Sequence, residues 1–252
     1  MTTLPHPVSR VYNSIALDLP TLTVIIPVFN EITTIATLID RVIKTPAVNE
    51  VLIVDDHSTD GTREWLMMAD LPPHVRVFLH DQNRGKGTAI RTAIQEATQT
   101  YTVIQDADLE YNPADYTLLL QVAYFQETPV VYGSRFMNPH NRHSHQSFYW
   151  GGRLVTFMTN LLFGQRLTDE PTCYKLFRTS FLQRIPLTCE RFEFCPEVTA
   201  KVAMSGVKIM EVPIRYTPRK LSEGKKISFI DGLEALYTLV RCRLKPFRPV
   251  SL

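Results

Sequence analysis

The sequence predicts an α/β protein with a mainly parallel sheet flanked by helices. Three observations carry that expectation. Short apolar, β-branched runs alternate with segments of about 10–15 residues that have helical apolar spacing, a pattern that calls for right-handed crossovers between parallel strands. The 252 residues, 44% hydrophobic and 21% charged, suit one large globular unit and exclude disorder over most of the length. Acidic residues also close three of the strand segments, where packing gives no reason for them.

Residues 1–20, with Pro5, Pro7 and Pro20, read as an irregular extension without the apolar core and processing site of a signal peptide. Residues 22–28 (LTVIIPV) form the first strand, closed by Phe29-Asn30-Glu31. Apolar positions 35, 38, 39, 42 and 43 give a helix over 32–43. Residues 51–54 are a strand ended by Asp55-Asp56, 61–68 a helix, 75–79 a third strand, 85–97 a helix and 101–105 a fourth strand. In the second half, 130–135 is a strand running into a loop, and 136–147 (FMNPHNRHSHQS) is a polar, mobile loop whose histidines lack supporting metal ligands. Helices over 154–163 and 197–204, a strand over 209–214 and an amphipathic helix over 229–244 complete the pattern. No linker divides the chain, so 21–245 is expected as one domain with halves 21–135 and 136–245, followed by a tail over 246–252.

The longest stretches without a charged residue are twelve residues, 19–30 and 154–165. A spanning helix needs about 20 apolar residues, so a soluble, cytosolic chain is expected. From Arg215 onward nine basic residues face three acidic ones, whereas the rest of the chain has a surplus of four acidic groups. Such a basic end suits phosphates or an anionic membrane surface, or is a solvated helical face; nucleic acid has no accompanying motif. Cys173, Cys189, Cys195 and Cys242 have no C-x-x-C spacing and read as reduced structural thiols.

Ligands of open parallel sheets sit at the carboxyl ends of the strands. The strongest signal there is Gln105-Asp106-Ala107-Asp108-Leu109-Glu110. A D-x-D pair at a strand end can place oxygens on one Mg²⁺ or Mn²⁺, leaving positions free for a diphosphate. Alone, the pair would more often serve turns and caps. Asp55 and Asp56 close the second strand, where a carboxylate can accept from a base ring N–H while Ser58 or Asp60 caps the next helix. Asn83-Arg84-Gly85-Lys86-Gly87 resembles a phosphate-cradling turn, although it is not a Walker A sequence.

As an ordered set over residues 22–245, T-V-I-I-P-V-F-N-E, V-D-D-H-S-T-D-G-T, N-R-G-K-G-T-A, Q-D-A-D-L-E-Y-N-P, V-V-Y-G-S-R-F, L-T-D-E-P-T-C-Y-K-L-F-R and E-V-P-I-R-Y resemble a family 2 inverting glycosyltransferase. The resemblance is nearest to the dolichyl- or polyprenyl-phosphate hexose synthases, mannosyl and glucosyl. It implies a GT-A fold, with a Rossmann-like sheet and an acceptor-side subdomain, binding a nucleotide-diphosphate sugar and Mg²⁺ or Mn²⁺. It puts Pro27, Phe29 and Glu31 around base and ribose, with Val54 and Asp56 beside them; Phe29 replaces a common Tyr. Asp106, Ala107 and Asp108 match the metal and diphosphate motif, with Glu110 as a further metal ligand and Lys86 in the phosphate turn. Arg135 matches an arginine near the donor phosphates and Arg153 one at the acceptor phosphate. Arg219 with Lys225 or Lys226 falls in a basic loop over the diphosphate, although R-K-L-S-E-G-K-K departs from the G-E-S-K of many relatives.

The implied reaction is in-line attack at the anomeric carbon, with metal and cations stabilising the departing diphosphate. A polyprenyl phosphate acceptor is already ionised and needs positioning, for which Arg153 and the basic loop are candidates. A hydroxyl acceptor needs a base, with Asp169 ahead of Glu170; structural capping is the equal rival for Asp169. Helices 154–163 and 229–244 either pack on the sheet or rest on a membrane surface, making the protein peripheral at the cytosolic face. The alternatives are the same donor chemistry on a saccharide or small-molecule hydroxyl, a nucleotidyltransferase, and a non-catalytic binding module. A nucleotidyltransferase would want a glycine-rich basic loop after the first strand, which P-V-F-N-E lacks.

Overall fold

The structure, a computed structural model, describes residues 19–142, 146–219, 229–245 and 247–250. Most of the expected N-terminal extension, along with Lys225 and Lys226, lies outside the described residues. In chain order the elements are β1 (Leu22–Val28), α1 (Ile35–Ile43), β2 (Val48–Asp55), α2 (Thr62–Met68), β3 (Val75–Leu79), α3 (Lys86–Glu96) and β4 (Tyr101–Ile104). A short 3₁₀ turn (Pro113–Asp115) leads into α4 (Tyr116–Phe125), followed by β5 (Val130–Ser134), α5 (Gln146–Phe163), β6 (Lys175–Arg178), α6 (Thr179–Leu182), α7 (Phe194–Met204), β7 (Met210–Pro213) and α8 (Phe229–Leu244).

The seven strands form one sheet in the order β3-β2-β1-β4-β6-β5-β7. Only β6 runs against its neighbours β4 and β5; the other pairings are parallel. β1 is central and every residue in it is buried, which is why its sequence is an unbroken apolar run rather than an alternating one. Pro27 is tolerated there because of register. Ile25 accepts from Gln105 N, so odd residues of β1 face β4, and that ladder ends at Ile25 opposite Ile104. The missing N–H of Pro27 therefore falls beyond the last β4 partner.

From β1 the chain moves outward to β2 and β3, then returns to lay β4 on the other side of β1. The carboxyl ends of β1 and β4 flank this reversal, the crevice where open sheets bind ligands. Phe29–Glu31 and Asp106–Asp108 therefore come side by side. Thr34 Oγ1 donates to Ala107 O at 2.9 Å and ties the two loops together.

Several boundaries differ from those read in the sequence. α1 starts at Ile35, not 32: Thr34 N and Ile35 N both bond back to Glu31 O as an isolated turn, and the continuous ladder begins only with Leu38 N on Thr34 O, with Thr34 as the N-cap. β2 starts three residues early, at Val48. α5 begins at Gln146, inside the segment expected as a polar loop; residues 143–145 lie outside the described residues. The sequence reading assigned no element to α4 or β6.

Below the crevice, Glu197 of α7 accepts from Thr188 N at 2.9 Å, Thr188 Oγ1 at 2.6 Å, Cys189 N at 2.7 Å and Lys201 Nζ at 2.7 Å. Burial alone would raise its carboxyl, but Lys201 and Thr188 draw it from 4.5 down to about 2. A carboxyl so depressed stabilises the fold above pH 4.5 and loses that contribution as pH falls through about 2. Glu197→Gln is expected to cost about 2 kcal/mol at pH 7 in urea denaturation. The gap from the parent protein should close on acidification across that window.

Candidate active site

The carboxyl ends of β1, β2 and β4 open into a cavity of about 770 Å³, within the usual range for a small-molecule site. Pro27, Phe29, Glu31, Asp56, Lys86, Asp106, Ala107, Asp108, Glu110, Arg135 and Arg219 line it. Val54 does not: it is fully buried on β2. Arg153 is exposed on α5 outside the lining, its guanidinium 5.3 Å from the Phe136 ring centroid and donating to Thr168 O at 3.1 Å. Sequence reading missed Arg142 and Arg191, two cations on the cavity wall. Neither sits in a motif, and no local signal marks them.

The two strand-end aspartates of β2 have separate tasks. Asp55 is fully buried, pairing with Arg63 Nε at 2.7 Å. Asp56 accepts from Arg84 N at 2.9 Å and Gly85 N at 2.7 Å, and lies 2.7 Å from His80 Nδ1. Rather than standing free to receive a base N–H, its carboxylate holds the turn that starts α3. Gly85 is required in that turn. Its φ is +88°, and a Cβ there would lie 2.3 Å from Glu190 O. Gly85→Ala is expected to lower stability by about 2 kcal/mol, read from the urea midpoint.

Across the crevice, Gln105 Nε2 donates to Asp106 O at 2.9 Å, and its Oε1 accepts from Tyr174 OH at 2.7 Å, so a buried side chain fixes the D-x-D peptide. Lys86 Nζ pairs with the Asp106 carboxylate. Burial opposes both charges, yet each holds the other: Lys86 is raised and Asp106 lowered from their ordinary values. Asp108 differs. Burial first, then the charges of Asp106 and Glu110, push it up to about 7 although Arg219 lies 3.0 Å away.

Glu110, expected as a further metal ligand, is engaged elsewhere. It accepts from Tyr216 OH at 2.8 Å and Arg219 N at 2.7 Å, anchoring the start of the late basic segment. From there Arg219 reaches Glu31 at 3.0 Å and Asp108 at 3.0 Å. Among the described residues no three His, Cys, Asp or Glu groups gather to hold a metal between them. Asp106 and Asp108 nevertheless fit a cation that arrives with phosphate. They offer hard oxygens on the cavity wall, and Mg²⁺ is commonly held by one or two carboxylates plus substrate phosphates. A cation there would offset the repulsion of Asp106 and Glu110 that, after burial, raises Asp108.

Asp169 is fully buried. Its Oδ1 accepts from Arg135 Nη2 at 2.7 Å, and its Oδ2 from Arg135 N at 2.9 Å and Nε at 2.8 Å. Glu211 holds the loop from below through Thr168 N at 2.6 Å and Asp169 N at 2.9 Å. The Arg135 guanidinium also lies 5.2 Å from the Tyr216 ring centroid. Glu170 is fully buried too; burial raises its carboxyl, Thr199 Oγ1 donates to one oxygen at 2.9 Å, and the other has no hydrogen-bond partner among the described residues. Where α5 and α8 form the wall the lining is mainly apolar, with Phe148, Leu154, Val155, Leu233 and Leu236 beside the single acid Asp231.

Comparison with known proteins bears on this arrangement. Residues 23–185 match the model of "Glycosyl transferase family 2". The chain is 30% identical over 229 residues to an undecaprenyl-phosphate mannosyltransferase of Micrococcus luteus, covering 86% of this chain and 91% of that protein. It is 26% identical over 242 residues to an undecaprenyl-phosphate 4-deoxy-4-formamido-L-arabinose transferase of Pectobacterium atrosepticum, covering 93% and 71%. Glucosyl-3-phosphoglycerate synthase of Mycobacterium tuberculosis superposes with a TM-score of 0.68 at 18% identity, covering 92% and 84%. A further structure of that enzyme, with Mn²⁺, UDP and glucosyl-3-phosphoglycerate, superposes with a TM-score of 0.66, again at 18% identity and covering 92% and 83%. A sheet reversing at β1 and β4, a D-x-D turn at that reversal and a family match over well more than half the chain agree: this protein is a glycosyltransferase of family 2, with the GT-A fold.

Proposed function

We propose that the protein transfers a hexose from a nucleotide-diphosphate sugar, of GDP-mannose or UDP-glucose type, to polyprenyl phosphate at the cytosolic face of a membrane. The observation that carries this reading is the two-ended cavity. One end combines Asp106 and Asp108 with Lys86, Arg135 and Arg219; the other is walled by apolar residues of α5 and α8. The first end suits a diphosphate with its cation, the second the start of a lipid chain. The relatives from Micrococcus luteus and Pectobacterium atrosepticum, both named for undecaprenyl phosphate, support the acceptor.

A divalent cation, Mg²⁺ or Mn²⁺, held by Asp106 and Asp108 would neutralise charge on the diphosphate. Phe29 and Pro27 offer apolar surface to the base, beside the turn that Asp56 holds. Lys86, kept protonated by Asp106, supplies fixed positive charge to the departing phosphate. Arg219 must give up Asp108 for that carboxylate to take a cation, and is then free to reach the diphosphate; Lys225 and Lys226 follow it in the same basic segment. The acceptor needs no base, since a phosphate is ionised at neutral pH. Arg142 and Arg191, on the wall, are better placed to position it than Arg153, which would have to swing in from outside. Asp169 is not available as a base for a hydroxyl acceptor, since both its oxygens are occupied by Arg135; Glu170, on the cavity wall, is the carboxyl that such an acceptor would have to use.

The test is incubation with GDP- and UDP-sugars and Mn²⁺ or Mg²⁺, with and without a short polyprenyl phosphate, following nucleoside diphosphate release. Release that depends on the lipid phosphate supports the reading. Release driven equally by free sugars or small alcohols overturns the acceptor, and pyrophosphate from a nucleoside triphosphate overturns the reaction class.

A further inference from the structure

The residues after β7 run back along the loop that follows the D-x-D pair. Arg215 N and Nε donate to the two oxygens of Asp115, each at 2.8 Å. Tyr216 makes an isolated antiparallel bridge with Tyr111, and its OH donates to the Glu110 carboxylate at 2.8 Å. Thr217 N donates to Glu110 O at 2.8 Å, and Arg219 N to the Glu110 carboxylate at 2.7 Å. Pro218 has no N–H to give. Residues 215–219 are therefore a strap fastened along 110–115, not a loose turn, and Asp115 and Glu110 are its two carboxylate anchors.

The strap ends with Arg219 laid across the crevice. Its Nη2 lies 3.0 Å from an oxygen of Glu31 and 3.0 Å from Asp108 Oδ2, and its Nη1 donates to the other Glu31 oxygen at 3.2 Å. The side chain is 19% exposed, so water screens these pairs only in part. Guanidinium cannot shed its proton. One positive charge is thus built into the place where the two aspartates of the D-x-D pair would meet a divalent ion, and it uses the same Asp108 oxygen that the ion would need. Glu31, whose N donates to Thr62 Oγ1 at 2.9 Å, is fixed from behind and gives the guanidinium a second hold.

We propose that residues 215–219 are an autoinhibitory strap that keeps Arg219 in the cation's place until cation and diphosphate arrive together, an inference that rests on reading this end of the cavity as a nucleotide-diphosphate site. Arg219 yields Asp108 to a bare cation only by losing that ion pair. To a cation that comes with a diphosphate it yields in exchange for phosphate oxygens, which its planar fork matches, while Glu31 keeps it at hand. Each ligand then binds more tightly in the presence of the other, and by the same factor. Asp115 and Glu110 are positioning residues in this device. Asp115 does not line the cavity, so a change there alters the strap without touching a ligand.

The experiment is isothermal titration of the full-length protein with MnCl₂ alone, with GDP or UDP alone, and with both. The parent is expected to take Mn²⁺ weakly by itself. Arg219→Gln is expected to take Mn²⁺ alone about tenfold more tightly and to bind nucleotide less tightly, lowering the coupling between the two by about tenfold or more. Adding Asp108→Asn should abolish that gain. Asp115→Asn, which loosens the strap at a half-exposed ion pair, should tighten Mn²⁺ alone by about threefold; damage to the fold would weaken the site instead. Mn²⁺ affinity that does not rise in Arg219→Gln, a gain that survives Asp108→Asn, or coupling equal to the parent's would each overturn the strap. Mn²⁺ tightened by both substitutions in a protein that binds neither GDP nor UDP sinks the donor reading and leaves Arg219 as the occupant of the cation's place.

Discussion

Asp108→Asn is expected to lose transfer by about a thousandfold, about 4 kcal/mol of transition-state stabilisation, while the protein becomes more stable at neutral and alkaline pH. The two effects have one cause. In the cation-free protein burial, Asp106 and Glu110 push the Asp108 carboxyl up to about 7, so its ionised form is held at a cost. For a carboxyl raised in the fold, that cost grows as pH rises from the unfolded value through about 7. A neutral isostere removes it, less what is lost with Arg219, a gain of about 1 kcal/mol at pH 8 that vanishes below pH 4. Isothermal titration should show Mn²⁺ affinity in the presence of nucleoside diphosphate falling in step with kcat. A variant that keeps both would refute the cation site. A variant that loses activity while binding Mn²⁺ normally would move Asp108 from the cation to the sugar.

Much of this site is visible in the sequence because strand ends are local features. An apolar run ended by Asp-Asp or by D-x-D needs no distant partner to be recognised, and the sheet order then brings the ends of β1 and β4 together. What stayed hidden depends on contacts between remote segments. β6 has four residues, and its first, Lys175, is fully buried with Nζ donating to Glu170 O and Thr172 O. A lysine reads as exposed in a sequence, and nothing nearby marks this one as satisfied by backbone. α4 carries apolar residues with little sidedness, so helical spacing gave no stripe to find. The two roles of Asp55 and Asp56 likewise required Arg63, His80 and the 84–85 turn, none of which is adjacent in the chain. Apolar spacing in α5 and α8 was legible, but not which of their apolar residues are buried, since only the seam they form with each other and with α7 shows which side is spent.

Asp169→Asn is expected to cost about 3 kcal/mol of stability and to lower transfer through Arg135 rather than through a missing base. Arg135 Nε and Nη2 take opposite oxygens of this carboxylate, which is fully buried. Removing one partner leaves the other charge buried and uncompensated, the condition under which ion-pair variants lose about 3–5 kcal/mol. Asparagine keeps one acceptor oxygen, which places the loss at the lower end. Arg135→Gln should therefore reproduce the phenotype, in melting temperature and in KM for the donor alike. The double variant should be less damaged than the two single losses added together. A general base behaves otherwise: Asp169→Asn would remove the acidic limb from the pH–rate profile at unchanged stability, and Arg135→Gln would leave that limb in place. Shared loss with strong coupling assigns Asp169 to holding an arginine at the donor cavity; an isolated rate defect that follows pH assigns it to proton transfer and revives a hydroxyl acceptor.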